Sequence, residues 1–213
     1  MRCSVKPTEK PSVKDQSGLS GGEVSKLKLP IFLAKGKGGD RKILISWASC
    51  KGADGYDCYW SYCNGKQNFK KFAGVKASKY RVTHKNLKNN REYKYFVAAY
   101  KMVDGKKVYI AKSNQIHVAM KNDKKTNAKK VTVNKTSVTL KAGKTFVIKS
   151  STKLENAKKK QLLHAKEYRY YTSNKEVAYV SKKGKVKAVK KGKCVIYILA
   201  NNGVYRKIKI VVK

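Results

Sequence analysis

The fold is decided by the stretch Leu87-Lys-Asn-Asn-Arg-Glu-Tyr93-Lys-Tyr95-Phe-Val97-Ala-Ala99-Tyr100. Its first part is polar, and its two asparagines belong to the residue types that tolerate tight backbone angles. From Tyr93 onward, every second residue is apolar or aromatic and alternates with a second set, which is the period of a β-strand. The stretch therefore predicts a turn that leads into a strand.

The spacing between Leu87 and Tyr93 adds a more specific prediction. A leucine six residues before a tyrosine that opens a strand is similar to the tyrosine corner of β-sandwiches. In that corner the phenol hydroxyl bonds back to the backbone a few residues upstream. We therefore expect the Tyr93 hydroxyl to bind the turn that precedes it.

Residues 28–120 read as a series of short strands separated by glycine- and asparagine-rich turns. We expect Pro30 on an edge strand and Cys58 on the core-facing side of its strand. The ordered motifs resemble a fibronectin type III domain, which implies a sandwich of about seven strands. The matching motifs are Ile45-Ser-Trp47, Gly52-Ala-Asp-Gly-Tyr56, Leu87 with Tyr93, and Val97-Ala-Ala-Tyr100.

Residues 130–213 form a second set of strand patterns that resembles a bacterial immunoglobulin-like domain of group 2. The resemblance implies an extracellular, stalk-like or adhesive module without catalytic residues, of the kind found in clostridial surface proteins. A segment at 154–166 departs from the pattern, and we expect one or two helical turns there, with Leu162 and Leu163 packing down. The matching motifs are Val138-Thr-Leu-Lys-Ala-Gly143, Ser173-Asn174, Val177-Ala178, Val180-Ser181, Gly184-Lys-Val-Lys-Ala-Val189 and Lys191-Gly192.

The predicted fold class is all-β, with two tandem immunoglobulin-like β-sandwiches joined by a short linker. Residues 1–27 are poor in apolar side chains and predict a flexible leader. Residues 121–129 are short and polar and predict a linker that permits hinge motion. The predicted divisions are thus a leader at 1–27, a type III-like domain at 28–120, the linker at 121–129 and the group 2 domain at 130–213.

The chain carries 52 lysines and arginines against 12 acidic residues, which gives a formal net charge of +40. The excess is spread over both halves and is not confined to a tail. Such a chain is attracted to polyanions, including anionic glycans, wall polymers and nucleic acid. The alternative is a soluble, self-repelling surface that binds nothing in particular, because most of these lysines fill the outward positions of strands.

The patterns of catalytic and metal sites are missing from the sequence. The histidines at 84, 117 and 164 have no thiol or acidic neighbour in sequence, and Asp54 and Asp57 are the only close acidic pair, flanking a turn. The five cysteines fit no common zinc spacing, and a disulfide framework is not expected. We expect no enzyme activity, no catalytic residues, no metal and no cofactor.

Lysine interleaved with tyrosine is the one feature that suggests binding. The side chains project outward in the strand phase, where cations meet acidic groups and rings offer contact area. The alternative is that a lysine-rich sequence builds half-buried strands in this way without a ligand. The candidate contacts for a polyanion or a partner are Lys185, Lys187, Lys207, Lys209, Tyr168, Tyr170, Tyr59 and Tyr62, with Tyr109 and Tyr205 as further exposed rings.

The two family resemblances, together with the charge, imply two possible functions. The first is a non-catalytic module of a Gram-positive surface protein that adheres to a host protein or glycoprotein, such as an immunoglobulin. The alternative is an accessory or spacer module of a larger secreted enzyme that binds a wall polymer or an anionic glycan. Nucleic-acid binding rests on charge alone, because no reader element is present. We expect a monomeric, extracellular or cell-wall-associated fragment without a signal peptide or a membrane-inserted segment.

Overall fold

The computed structural model describes residues 13–63, 66–163 and 167–213. Strands make up 52% of these described residues and helix 3%. The all-β prediction is therefore confirmed: the chain folds as two tandem immunoglobulin-like sandwiches. In the described part of the chain no helix has the length and apolar character needed to cross a membrane.

Within residues 13–63 and 66–120, the first sandwich and its preceding segment contain one short helix and nine strands. These are α1 (Gly21–Lys26), β1 (Ile31–Phe32), β2 (Ala34–Gly38), β3 (Ile43–Trp47), β4 (Gly55–Tyr62), β5 (Lys70–Lys76), β6 (Arg81–His84), β7 (Tyr93–Val103), β8 (Lys106–Ser113) and β9 (Ile116–Val118). One sheet has the order β1-β8-β7-β4-β5, with β9 also on β7, and the other has the order β2-β3-β6. Two such sheets, facing each other across one core, form a β-sandwich.

The tyrosine corner is present as predicted. The Tyr93 hydroxyl accepts a hydrogen bond from the Lys88 backbone N–H at 2.9 Å and donates one to the Lys88 carbonyl at 3.2 Å. Leu87 is buried beside it, and Asn90 adopts the left-handed backbone conformation, with φ of 57°. The corner fixes the turn before β7, and Tyr93, Tyr95, Val97 and Ala99 then point into the core between the sheets.

The prediction of a flexible leader is wrong for residues 13–27; residues 1–12 lie outside the described part. Ser20 caps α1 in a reciprocal capping box with Glu23, and Val24 is fully buried. The segment covers the outer face of β4 and β7 and creates a second apolar cluster there. The members of this cluster are Val24, Tyr59, Phe69, Phe96, Ala98 and Tyr109.

The buried carboxylate of Asp57 lies next to this second cluster and is bonded to the hydroxyl of its member Tyr109. Asp57 is 1% exposed, and its oxygens accept hydrogen bonds from Lys71 at 2.7 Å, from Lys107 at 2.9 Å and from the Tyr109 hydroxyl at 2.7 Å. Burial alone raises the pKa of Asp57, but the bonds from Lys71, Tyr109 and Lys107 outweigh it, so the net pKa is lowered. Asp57 lies in β4, one of the strands that form this face of the sheet.

The second sandwich and the segment leading into it contain eleven strands in the described residues. These are β10 (Lys125–Thr126), β11 (Ala128–Val133), β12 (Ser137–Leu140), β13 (Thr145–Val147), β14 (Ser150–Leu154), β15 (Lys160–Gln161), β16 (Arg169–Thr172), β17 (Ala178–Val180), β18 (Lys185–Ala188), β19 (Gly192–Leu199) and β20 (Tyr205–Val212). A four-stranded sheet has the order β12-β20-β19-β16, a three-stranded sheet has the order β13-β18-β17, and β11 pairs with β14. Their inner faces enclose a core that includes Val186, Ile196, Ile198, Ile208 and Ile210.

The helical turns predicted at 154–166 are absent from the part of this segment that the structure describes, so that prediction is wrong. Residues 160–161 form β15 instead, which pairs in parallel with β10, and the Leu162 N–H donates to the Thr126 carbonyl at 2.8 Å. Leu162 is buried as expected, whereas Leu163 is 47% exposed. The segment extends because it pairs with the linker. Residues 164–166 lie outside the description.

Replacing Tyr93 with phenylalanine removes the corner hydroxyl and both of its partly buried hydrogen bonds with the Lys88 backbone. We expect Tyr93→Phe to lower the free energy of unfolding by about 1–3 kcal/mol. Urea unfolding followed by tryptophan fluorescence measures this directly, because Trp47 and Trp60 both lie in the first sandwich. Tyr80→Phe, at a 43% exposed ring, is the control, and equal losses in both variants would contradict the role of the corner.

Replacing Asp57 with asparagine breaks a buried ion pair, and we expect a loss of about 3 kcal/mol at pH 7. The folded-state pKa lies below the unfolded one, so the contribution is present above about pH 4 and is lost as the pH falls through the folded pKa. The difference in urea stability between the wild type and Asp57→Asn should therefore shrink below about pH 4. Asp104→Asn in the exposed β7–β8 turn is the control, and a difference that does not change with pH would refute the account.

Candidate functional site

The two sandwiches meet where the turn between β19 and β20 is pressed against β2 and β9. The Gly36 N–H donates to the Asn202 carbonyl at 2.8 Å, and the His117 N–H donates to the Asn201 carbonyl at 2.9 Å. Gly203 has φ of +83°, and a Cβ atom there would lie 2.1 Å from the Ala34 carbonyl oxygen. Only glycine fits both the backbone conformation and the approach. We call these contacts of residues 201–203 the junction.

The linker is part of the same contact region, so the predicted freedom of 121–129 to hinge is not what the structure shows. Asn127 donates to the Ala119 carbonyl at 2.8 Å and accepts from the Ala119 N–H at 2.9 Å, and it also donates to Glu155 at 3.1 Å. Asp123 accepts hydrogen bonds from the backbone N–H groups of Asn90 and Met120. Both side chains are buried and hydrogen-bonded. Their backbone partners lie in the first sandwich, and Asn127 reaches the second sandwich through the Glu155 carboxylate.

A groove of about 1010 Å³ opens beside the junction, between the sandwiches. The first sandwich contributes residues 29–35, around β1 and the start of β2, together with residues 46–48 at the end of β3. The second sandwich contributes β16, β17, β19 and β20. Trp47 lines the groove, and its buried indole N–H has no acceptor among the described residues.

Tyrosine rings dominate the side formed by the second sandwich. Tyr171 pairs with Tyr197 across β16 and β19, and Tyr197 pairs with Lys207 across β19 and β20, so these three form one row on the outer face of the sheet. Tyr205 packs edge-on against Tyr197, with ring centroids 5.8 Å apart. The Lys207 ammonium lies 5.5 Å from the Tyr197 centroid and 5.8 Å from that of Tyr205.

The groove is positively charged. Lys35, Lys175 and Lys207 are among its lining residues, and all three are exposed. None of the lining residues, all of which are described, is acidic. Each lysine head group is therefore available to an acidic group on a ligand, while the tyrosine faces offer apolar contact and the hydroxyls offer hydrogen bonds.

The structure brings only two of the predicted contact residues into this groove. They are Lys207 and Tyr170, and Tyr205 from the further predicted rings joins them. Lys209 lies two residues along β20, on the same face as Lys207. Lys185 and Lys187 are exposed on β18, in the other sheet, so the four lysines do not form one surface.

Three of the rings expected to be exposed are buried. Tyr59 is 2% exposed and Tyr109 is 4% exposed, because the 13–27 segment covers their face of the sheet. Their hydroxyls share a hydrogen bond of 2.7 Å. Tyr168 is also buried, with its hydroxyl 2.8 Å from that of Thr152. Tyr62 is 37% exposed but packs against Trp60 and Tyr93, away from the groove.

Sequence reasoning did not identify Tyr171, Tyr197, Lys35 or Lys175 as site residues. Tyr197 alternates with the buried Ile196 and Ile198, and Tyr171 lies in the opposite strand phase to the half-buried Tyr170. That alternation was the available signal. Lys35 and Lys175 are far apart in the sequence, and only the docking of the two sandwiches places them in one groove.

The cysteines and histidines do not assemble a reactive centre in the described part of the chain. Cys50, Cys58, Cys63 and Cys194 are free thiols. The Cys63 sulfur lies 3.2 Å from Nδ1 of His117, but burial raises the pKa of this thiol to about 12, so it stays protonated at neutral pH. No group of three or more potential metal ligands occurs among the described residues.

Comparison with known protein families gives a match for the second sandwich. Residues 127–211 match the model of the bacterial Ig-like domain (group 2), so this half is a domain of that family. The match begins inside the segment predicted to be a linker. Such domains typically occur in extracellular or surface proteins and are typically non-catalytic. No curated protein matches the chain.

Three solved structures show partial likeness. A β-1,2-glucanase from Parabacteroides distasonis is 19% identical, over 45% of this chain and 13% of its own, with a TM-score of 0.36. A pectate lyase from Pectobacterium carotovorum is 17% identical, over 53% of this chain and 34% of its own, with a TM-score of 0.37. A fibronectin type III domain of the human collagen alpha-1(XX) chain is 13% identical, over 44% of this chain and 88% of its own, with a TM-score of 0.33. The chain thus spans about a third or less of the two enzymes' length.

Replacing Gly203 with alanine should separate the sandwiches at the junction, because the new Cβ atom has no room against Ala34. We expect the radius of gyration in small-angle X-ray scattering to increase, while both sandwiches stay folded. Gly143→Ala is a matched control in the same sandwich: its φ is +81°, and nothing lies within 4 Å of the added atom. Each variant carries the strain of a left-handed alanine, roughly 1–2 kcal/mol. Scattering of Gly203→Ala that is identical to that of the control would contradict the described junction.

Proposed function

We propose that this chain is a non-catalytic, extracellular or cell-surface module that binds an anionic glycan in the groove between its two sandwiches. The group 2 domain supports the setting, because domains of this family typically belong to surface or extracellular proteins. One observation carries the ligand class: the groove combines tyrosine faces with three exposed lysines and has no acidic residue in its lining.

The composition of the groove favours a sugar chain with acidic substituents. A sugar ring has an apolar face that covers a tyrosine ring, and its hydroxyls bind polar groups at the rim. Carboxylate or sulfate substituents of the sugar chain form ion pairs with the ammonium groups of Lys35, Lys175 and Lys207. The volume of about 1010 Å³ matches the upper range of ligand sites, and a groove open along its length accepts a chain as well as a compact molecule.

The overall charge supports the same ligand class. The net charge is +40, and the described residues form three lysine–carboxylate ion pairs, two of which share Asp57. Most lysines are therefore free to interact with a polyanion, which speeds association and makes the affinity dependent on salt. Long-range charge brings the polymer to the surface, and the groove selects where it lies.

The test compares two triple variants that remove equal charge. We expect Lys35→Gln/Lys175→Gln/Lys207→Gln to weaken binding of heparin, used as the anionic glycan probe, by about tenfold or more, close to 1.4 kcal/mol. The matched variant Lys182→Gln/Lys185→Gln/Lys187→Gln removes three exposed lysines on and beside β18, in the other sheet, and we expect a loss of less than about threefold. Isothermal titration calorimetry at several salt concentrations gives both values.

The two variants also give the result that would overturn the proposal. Equal losses in both would mean that diffuse charge, and not the groove, holds the polymer. Tyr171→Ala and Tyr197→Ala provide a second measurement that leaves the charge unchanged, and we expect each to weaken binding at high salt, where ring contacts persist and charge attraction is screened. An unchanged affinity of both ring variants at high salt would exclude stacking in the groove.

A further inference from the structure

A second, smaller cavity lies at the contact between the sandwiches, next to the groove. Its volume is about 340 Å³, and Ile31 and Tyr171 line both cavities and stand between them. Lys112 reaches it from the end of β8, and Arg169 reaches it from the start of β16. The cavity therefore takes one cation from each sandwich.

A hydrogen bond holds the Lys112 ammonium group in place and leaves further N–H donors for a ligand. Its ammonium group donates to the Ser25 carbonyl, just before the end of α1, at 2.6 Å. An ammonium group has three N–H donors, so two remain after this bond. Burial lowers the pKa of Lys112, and no acidic residue contributes to the shift.

Arg169 is fixed in the same way. Its guanidinium donates to the Gln115 carbonyl in the first sandwich and to Oδ1 of Asn201 at the junction, the latter at 3.3 Å. A guanidinium has five N–H donors, so three remain. Burial lowers the pKa of Arg169, and the groups that partly offset this effect are Tyr171 and Cys63, neither of which is a carboxylate.

The charge of this pair is not balanced by the described part of the protein. None of the residues that line the cavity is acidic, and none of the three ion pairs found among the described residues uses Lys112 or Arg169. Cations withdrawn from water without a counter-charge are unfavourable, whereas an anion between them recovers the lost solvation as charge-assisted hydrogen bonds. A planar guanidinium fork matches a carboxylate or sulfate in particular.

We infer that the cavity between Lys112 and Arg169 is a binding site for one small oxyanion, a carboxylate or a sulfate group. Two sources supply this chemistry: a free ion, and an acidic substituent of a polymer in the neighbouring groove. Because Arg169 also binds Gln115 and Asn201, an anion held there strengthens the contact between the sandwiches. The site does not depend on the glycan proposal, since a free ion is a sufficient ligand.

The experiment titrates the full chain with sodium sulfate at constant ionic strength, with sodium chloride as the balancing salt. The Nε–H signal of Arg169 in a nitrogen–proton NMR spectrum reports on the site directly. We expect a saturable shift in the wild type and a dissociation constant at least tenfold higher in Lys112→Met. Lys106→Met, at an exposed position at the start of β8, is the matched control and should titrate like the wild type.

A second arm uses a trigalacturonate oligosaccharide in place of sulfate, and separates the two sources. Saturation by both probes supports the site and identifies the glycan substituent as a ligand, while saturation by sulfate alone supports it with the free ion as the ligand. Lys112→Met leaves the Arg169 contacts with Gln115 and Asn201 in place. A weaker affinity in this variant therefore reports on anion binding and not on a disrupted junction. A wild-type signal that does not saturate with either probe, or equal constants in Lys112→Met and the wild type, would overturn the inference.

Discussion

The structure depends on the backbone hydrogen bonds that the turn at residues 201–203 makes across the junction. The turn is buried, so its carbonyl groups need partners, and the N–H groups of Gly36 and His117 supply them. Gly203 allows the approach, and the buried Asn202 side chain donates to the Ala128 carbonyl at 2.9 Å. Without these contacts, the groove and the smaller cavity would each lose one wall, because both combine side chains from the two sandwiches.

The docking of the two sandwiches also determines where positive side chains can interact strongly with an anion. A net charge of +40 makes the chain repel itself, and most of its lysines lie on exposed strand positions where water screens them. The groove and the cavity differ from that background. The exposed lysines of the groove lie beside tyrosine rings, and Lys112 and Arg169 at the cavity are partly buried. Electrostatic attraction is stronger where water is excluded. Under the proposed function, an acidic ligand would therefore be attracted by the whole surface and held between the sandwiches.

The sequence predicted what depends on local patterns and missed what depends on distant contacts. Alternation and turn residues were enough for the sandwiches, and the spacing of Leu87 and Tyr93 was enough for the corner. The packing of residues 13–27 was not predicted, because the segment has few apolar residues. The sheet face that Val24 covers was expected to be exposed to solvent. The same contact buries Tyr59, so this ring cannot contribute to a binding surface as predicted. Lys35 and Tyr171 share a groove only through docking, which no local pattern encodes.

The contacts of the junction hold the two sandwiches in one fixed relative orientation. Residual dipolar couplings of backbone amides in a weakly aligned sample of the full chain test this most directly. We expect the couplings from residues 28–120 and 130–213 to fit a single alignment tensor, of equal magnitude and orientation, when the described structure is used. Two tensors of clearly different magnitude would mean that the sandwiches move independently, and would contradict the account.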